Sequence, residues 1–146
     1  MDELDWLAAA VELSRKCPPS ETAFSVGAII VDGAGNPLAE GYSRQEQDRD
    51  HAEEAALRTL GGDLSAATIY SSLEPCSARL SRPRTCSQLI VAAGIRRVVF
   101  ALREPSIFVP GDGANVLRGQ GITVVERPEL ADRVREINAH LLPGTD

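Results

Sequence analysis

One histidine and two cysteines, far apart along the chain, constrain the fold of this sequence more than any other feature. His51 is followed two residues later by Glu53, and Cys76 and Cys86 lie downstream. These residue types suit zinc, which takes imidazole nitrogen and thiolate sulfur in tetrahedral geometry, and a site with three protein ligands leaves its fourth position for water. We therefore expect a fold that brings His51, Cys76 and Cys86 together around Zn²⁺, with the carboxylate of Glu53 beside it.

The pattern around His51 predicts a helix that begins at this site. Residues 51–60 have helical spacing, and Asp50 stands where it could cap the first amides. Side chains two residues apart in a regular helix point about 200° apart, so His51 and Glu53 can serve one metal only if it lies at the helix end. The two cysteines, one after a strand and one opening a second helix, would lie near positive helix ends, which stabilise thiolates.

Helices and strands are predicted to alternate along the rest of the chain. Apolar, β-branched runs indicate strands, amphipathic runs indicate helices, and stretches rich in glycine and asparagine indicate turns. The predicted elements are helix 2–16, strand 24–31, turn 32–36, strand 37–42, loop 43–50, helix 51–60, strand 67–73, loop 75–85, helix 86–93, strand 96–102, helix 113–120, strand 122–126 and helix 128–142.

This element order predicts an α/β fold. The first two strands form a hairpin around turn 32–36, and a strand that follows a helix favours a right-handed crossover with parallel pairing. We expect a five-stranded mixed sheet with helices on both faces, a three-layer α/β/α sandwich. At 146 residues the chain fits a single domain, residues 1–146.

Composition excludes two classes of partner. The formal net charge of −6 gives a field that repels polyanions, so no nucleic-acid partner is expected. No apolar run approaches the roughly 20 residues that span a bilayer, and the first residues lack the basic and apolar regions of a signal peptide, so no membrane partner is expected. Three cysteines cannot all pair within one chain, and spaced cysteines in a reducing compartment usually bind metal or do chemistry. We expect a cytoplasmic protein.

The motifs resemble those of the cytidine-deaminase-like superfamily of zinc aminohydrolases. His51-Ala52-Glu53 and the later Glu-Pro-Cys that ends at Cys76 match a signature in which the glutamate is acid and base rather than a ligand. The resemblance runs from about residue 24 to residue 125. Most members have two residues between the cysteines, and this chain has nine. That long gap, Leu-Glu-Pro-Cys-Ser and Ala-Ala-Gly-Ile-Arg-Arg-Val-Val are similar to the pyrimidine deaminase domain of riboflavin biosynthesis.

The resemblance implies a hydrolase that releases ammonia from an aminated ring. Zinc activates water at neutral pH, and Glu53 would take a proton from it, pass that proton to a ring nitrogen and later protonate the leaving ammonia. Members commonly form homo-oligomers through the helix after the histidine and a face of the sheet. A homodimer is therefore expected.

Five residues are expected to contact the substrate. Phe24 would pack on the ring, the backbone amide of Ala52 would hold a ring carbonyl, and Ser43 stands at a position where the riboflavin family has a histidine. Arg82 lies in an arginine-rich loop between the cysteines, which can bind phosphate, and Phe108 follows a strand end, where it can cap the pocket. A plain core role for Phe24 and a solvated arginine loop are the alternatives.

The substrate and one rival class of function remain open; a second rival class, a nucleic-acid editing deaminase, needs a basic surface and is disfavoured by the net charge of −6. The expected substrate is a small amino-substituted pyrimidine of the riboflavin-pathway diaminopyrimidine type. The alternative is a cytidine- or cytosine-type nucleoside or nucleotide, or another aminated heterocycle, because Phe-x-Val-Gly-Ala at residues 24–28 looks like the cytidine deaminases. The rival class is a non-catalytic binding module stabilised by zinc. A structural zinc site usually has four protein ligands, and Glu53 also argues against this class.

Overall fold

A computed structural model of the protein describes residues 1–21, 23–76, 85–103 and 113–141. Their helices and strands, in chain order, are α1 Glu3–Leu13, β1 Gly27–Val31, β2 Pro37–Tyr42, α2 Ala52–Leu57, β3 Thr68–Leu73, α3 Cys86–Ala93, β4 Arg97–Leu102, α4 Gly113–Gly119, β5 Thr123–Glu126 and α5 Ala131–Ile137. Short 3₁₀ turns follow α1 and flank α5, at Ser14–Lys16, Pro128–Leu130 and Ala139–Leu141. No helix among these residues is both long and apolar enough to span a membrane.

The five strands form one mixed sheet in the order β2-β1-β3-β4-β5. Strand β1 is antiparallel to β2 and to β3, whereas β3, β4 and β5 run parallel. All five residues of β1 are buried, as expected for an apolar strand covered on both faces. The predicted hairpin, parallel pairing and five-stranded mixed sheet are confirmed.

Two glycines show that helices cover both faces of the sheet. A Cβ atom on Gly27 would collide with the carbonyl oxygen of Ala10 in α1. One on Gly41 would lie 2.5 Å from the carbonyl oxygen of Ala52 in α2. Gly41 pairs with Ala28, the residue after Gly27, and successive residues of a strand face opposite sides. Helices α1 and α2 therefore lie on opposite faces, which gives the three layers predicted.

The remaining helices join these two layers. Helix α3 contacts α2 and α4, so these three helices share one face. Helix α5 contacts β4, and its Arg133 lies 3.5 Å from Glu12 of α1 in an ion pair, which places α5 on the other face. The core fills the space between the sheet and both layers, with Leu7, Ile30 and Phe100 fully buried.

The first strand begins at Gly27, three residues later than predicted. The side chain of Asn138 bonds both the N–H and the carbonyl of Ser25, at 2.7 and 3.2 Å. The hydroxyl of Ser43 accepts from the N–H of Val26 at 3.0 Å. Side chains therefore satisfy most of this part of the backbone, and the Ser43 N–H donates one main-chain bond to the Val26 carbonyl at 3.0 Å.

Four of the five predicted helices are shorter in the structure: helix 51–60 is Ala52–Leu57, helix 113–120 ends at Gly119, and the first and last helices also differ. Helix α1 begins with a capping box in which the Asp2 carboxylate accepts from Asp5 N and the Asp5 carboxylate accepts from Asp2 N, and it ends at Leu13 instead of residue 16. The predicted helix 128–142 divides into a 3₁₀ turn, the seven residues of α5 and a second 3₁₀ turn.

Candidate metal centre

The fold brings the three predicted ligand atoms together. His51 Nδ1 lies 3.2 Å from Cys86 Sγ and 3.5 Å from Cys76 Sγ. All three ligand atoms lie within 4.8 Å of one another. A tetrahedral zinc ion with ordinary bond lengths would separate nitrogen from sulfur by roughly 3.6 Å and the two sulfurs by roughly 3.8 Å. Both the chemistry and the spacing of these donors fit zinc.

The three ligands meet because each stands at the end of an element. His51 occupies the N-cap position of α2 with an extended backbone, φ −92° and ψ 155°. Cys86 is the first residue of α3, and Cys76 follows the end of β3 by three residues. The prediction that His51 lies in the first helical turn is wrong. Since His51 precedes the helix, the 200° separation from Glu53 does not apply, and the three donor atoms meet at the N-terminal end of α2.

Asp50 does not cap α2, contrary to the sequence prediction, because His51 takes the N-cap position. Its carboxylate instead accepts hydrogen bonds from the backbone N–H groups of Glu46 and Gln47, at 3.1 and 2.9 Å. It also forms an ion pair of 2.6 Å with Arg58, the C-cap residue of α2. Burial raises the pKa of Asp50, but these hydrogen bonds outweigh burial and hold the pKa below its ordinary value. Asp50 thus fixes the loop that delivers His51.

The start of α3 binds Cys76 through two backbone amides. The N–H of Cys86 donates to Cys76 Sγ at 3.2 Å, and the N–H of Ser87 donates to the Cys76 carbonyl at 3.0 Å. Hydrogen bonding from Cys86 and the proximity of His51 lower the pKa of Cys76 to about 4, while burial raises the pKa of Cys86. One sulfur of the pair is therefore a thiolate at neutral pH, the form that binds metal.

Glu53 lies beside the ligands, buried in the first turn of α2. Its side chain is 3% exposed, and its Oε1 lies 2.7 Å from the hydroxyl of Ser71 in β3. Burial raises the pKa of Glu53, while hydrogen bonding to Cys86, the charge of His51 and the Ser71 hydroxyl lower it by less. A raised pKa makes the carboxylate a stronger base and so better able to accept a proton.

A second buried glutamate, Glu74, connects helix α4 to the segment that carries Cys76. Its Oε2 accepts from the N–H of Ala114 at 2.7 Å, and its own N–H donates to the Leu102 carbonyl at 2.8 Å. At the start of α4, a Cβ atom on Gly113 would collide with the carbonyl oxygen of Pro75. Helix α4 therefore packs directly against the residue before Cys76.

The predicted substrate contacts fall into two groups. Phe24 is half-buried against the core, Ala52 is the buried first residue of α2, and the Ser43 hydroxyl bonds the Val26 amide. Because β1 runs antiparallel to β3, the residues before β1 and after β2 lie at the end of the sheet where β3 terminates. The other predicted contacts and the arginines near them lie outside the described residues: Arg79, Arg82, Arg84 and Phe108.

Sequence reasoning gave no role to Ser71, Glu74 or Arg44. The signal for Ser71 was present, because two serines in the otherwise apolar run Thr68–Leu73 are buried polar groups that need partners. Glu74, a charge directly after that strand, carried the same signal. Nothing local marked Arg44, since its conformation depends on contacts with distant residues.

Comparison with known families identifies the class of protein. Residues 1–102 match the model of the cytidine and deoxycytidylate deaminase zinc-binding region. That match covers well over half of the chain, so the chain belongs to this family. The resemblance identified from the motifs is confirmed.

Individual relatives show which members of this family the chain is similar to. The chain is 38% identical over 133 residues to the diaminohydroxyphosphoribosylamino-pyrimidine deaminase of Schizosaccharomyces pombe, a match that covers 88% of this chain and 33% of that protein. Its fold is similar to that of Acinetobacter baumannii RibD, with a TM-score of 0.83 at 30% identity, covering 97% of this chain and 39% of that one. It is also similar to the Aspergillus oryzae Rib2 deaminase solved in complex with DARIPP, with a TM-score of 0.78 at 25% identity over 92% and 88% of the two chains. The chain spans about a third of the length of the curated relatives it matches.

Proposed function

We propose that this chain is a zinc-dependent hydrolytic deaminase acting on a small amino-substituted pyrimidine ring. The reaction replaces the exocyclic amine by oxygen, so that one water is consumed and one ammonia is released. The observation that carries the proposal is the buried carboxylate of Glu53, held by Ser71 beside the group formed by His51, Cys76 and Cys86. A site that only stabilised the fold would have no need of a buried acid in that place.

The chain's own residues divide into metal ligands and a proton carrier. His51, Cys76 and Cys86 would hold zinc, which when bound supplies Lewis-acid chemistry and lowers the pKa of water toward about 7. Glu53 would accept a proton from the attacking water and deliver it to a ring nitrogen, and would then carry the second proton, from the newly added hydroxyl, to the departing amine. The Ser71 hydroxyl would keep the carboxylate aimed at the reacting atoms.

The substrate proposed is a diaminopyrimidine of the riboflavin pathway. The names of the relatives support this choice, because both the curated and the solved proteins include riboflavin-pathway deaminases. Phe24, Ser43, the Ala52 amide, Arg82 and Phe108 are the contacts proposed for it. A cytidine- or cytosine-type substrate is the second candidate, and the run from Phe24 to Ala28 favours it.

A panel of aminated heterocycles tests the proposal. Ammonia release is measured for the diaminopyrimidine ribosyl phosphate, its form without phosphate, cytosine, cytidine and deoxycytidine monophosphate. We expect the diaminopyrimidine to give the highest kcat/KM, and more with phosphate than without. A cytidine-type substrate in first place would replace the substrate proposed. No ammonia release from any ring by zinc-loaded protein would overturn the deaminase and favour the zinc-stabilised binding module.

We also propose that the chain acts as one domain and as a homodimer in the cytoplasm. Exposed Val91 on α3 and Val116 on α4 support an interface on the α2, α3 and α4 face. The thiols of Cys76 and Cys86 are free, the state that a reducing compartment maintains. Light scattering at micromolar concentration tests the dimer, and a strictly monomeric mass would contradict it.

A further inference from the structure

Arg44 is the one non-glycine residue with a positive φ in the described parts of the chain, at 59°. An L residue rarely adopts this left-handed conformation, and surrounding contacts must hold it there. Asparagine and aspartate reach it more readily because their short side chains bond locally, an option that arginine lacks. The contacts that Arg44 makes therefore explain why the conformation is kept.

The guanidinium of Arg44 binds the segment that leads into β1. Nε and Nη2 both donate to the carbonyl oxygen of Pro18, at 3.2 and 2.7 Å. Nη1 donates to the carbonyl oxygen of Phe24 at 3.1 Å, and Nη2 lies 3.3 Å from Ser25 Oγ. A guanidinium presents five donors in a rigid planar fork, so one side chain can hold two carbonyls at a fixed distance from each other.

The backbone of Arg44 binds the loop before the first metal ligand. Its N–H donates to the carbonyl oxygen of Asp50 at 2.9 Å, and Asp50 directly precedes His51. The Asp50 N–H in turn donates to the Gln47 carbonyl at 3.0 Å, which closes the loop. Arg44 therefore contacts loop 43–50, which precedes His51, through its main chain, and the residues before β1 through its side chain.

The β1 approach, residues 23–26, is fixed from its other side by the C-terminal region. Asn138, fully buried, bonds both backbone groups of Ser25, and His140 Nε2 lies 3.2 Å from the Ala23 carbonyl oxygen. The approach carries Phe24 and lies at the sheet edge where β3 delivers Cys76. The β1 approach therefore lies at the same end of the sheet as Cys76, and Arg44 holds it on the side of loop 43–50.

We propose that Arg44 is a positioning residue that fixes the β1 approach, and with it Phe24, at the distance from His51 that the substrate ring requires. This inference rests on the proposed deaminase function, because it assigns Phe24 to the substrate pocket. Arg44 acts through Phe24 and does not touch the reacting atoms. Its loss should therefore weaken substrate binding and leave the metal and the proton carrier in place.

Two substitutions of Arg44 and one control separate this role from a general structural one. Arg44→Asn tolerates the left-handed backbone and keeps the N–H bond to Asp50, but it removes the guanidinium. Arg44→Lys keeps the charge and the length of the side chain but replaces the fork by a single ammonium. Arg15→Asn removes a surface arginine that bonds Glu12 and serves as the matched control. All are measured as zinc-loaded protein.

Steady-state kinetics and hydrogen exchange are the two readouts. We expect Arg44→Asn to keep zinc and kcat, to raise KM about tenfold, and to speed exchange of the Ser25 and Val26 amides, with Arg44→Lys intermediate and Arg15→Asn unchanged. An unchanged KM in active Arg44→Asn overturns the positioning role. So do equal exchange rates of the Ser25 and Val26 amides in Arg44→Asn and the wild-type protein. Loss of zinc from Arg44→Asn also overturns the positioning role, because Arg44 would then be needed to hold the loop that precedes His51. Absence of ammonia release by the wild-type protein instead overturns the proposed function, and hydrogen exchange still decides whether Arg44 fixes the segment.

Discussion

The hydroxyl of Ser71 lies 2.7 Å from Glu53 Oε1 and also 2.7 Å from the carbonyl oxygen of Leu73. A serine has one hydroxyl proton, so it can donate to only one of these acceptors at a time. When Glu53 is ionised, Ser71 can donate to it. When Glu53 is protonated, the carboxyl can donate to Ser71, which then donates to Leu73. The same contact therefore supports both protonation states that an acid and base must pass through.

Ser71→Ala should lower activity without releasing zinc. A hydrogen bond to a charged group contributes about 1.5–3 kcal/mol, so we expect kcat to fall by about 10- to 150-fold. Ser72→Ala is the control, because the neighbouring hydroxyl accepts from the Gly27 amide and lies on the other face of β3. Ser72→Ala should destabilise the fold modestly and keep kcat. Equal kcat in the two variants would remove Ser71 from the catalytic arrangement.

Gly113→Ala should disturb the loop at Pro75 and Cys76. The new methyl group would collide with the Pro75 carbonyl, so either α4 or the backbone beside Cys76 must shift. Overpacking of this kind destabilises a protein by about 1–3 kcal/mol, which we expect to appear as a lower melting temperature and as faster loss of zinc to a chelator. Gly119→Ala lies in the same helix, and among the described residues no atom outside the nearby helix backbone lies within 4 Å of the new Cβ, so it should be neutral or stabilising. Equal zinc loss from both variants would contradict the close packing of α4 on this loop.

Removal of the metal should destabilise the whole chain. The proposed ligands come from the N-cap of α2, from the segment after β3 and from the first residue of α3, so zinc would join parts of the fold that are distant in sequence. A ligand present at a hundred times its dissociation constant stabilises the folded state by about 2.7 kcal/mol, which corresponds to roughly 5–11 °C in melting temperature for a chain of this size. Calorimetry before and after chelation measures the change. Identical melting temperatures, with elemental analysis showing about one zinc lost per chain, would contradict this prediction.

The sequence predicted the sheet, the hairpin and the three residues whose donor atoms the fold brings together. Apolar strands, glycine turns and the rare combination of His51, Cys76 and Cys86 are local signals with specific chemistry. The positions of His51 and Gly27 at the starts of their elements were missed by one to three residues. Those boundaries depend on which groups satisfy the backbone, as the bonds from Asn138 to Ser25 show, and such partners are far away in sequence.

The sequence could mark Ser71 as a buried polar residue but could not name its partner, and it could assign no role to Arg44. An arginine in a polar loop is an ordinary residue there. Their roles follow from tertiary contacts, one with Glu53 in α2 and the other with Pro18 and Phe24 before β1.

The most direct test of the proposed function pairs zinc content with ammonia release in Glu53→Gln. Glutamine keeps the size of the side chain and can still bond Ser71, but it cannot accept or return a proton. We expect about one zinc per chain by elemental analysis, as in the wild-type protein. On the substrate that the panel identifies, we expect kcat to fall by about 10²- to 10⁴-fold. Loss of zinc would make Glu53 a ligand, and retention of both zinc and full activity would show that the proton carrier lies elsewhere.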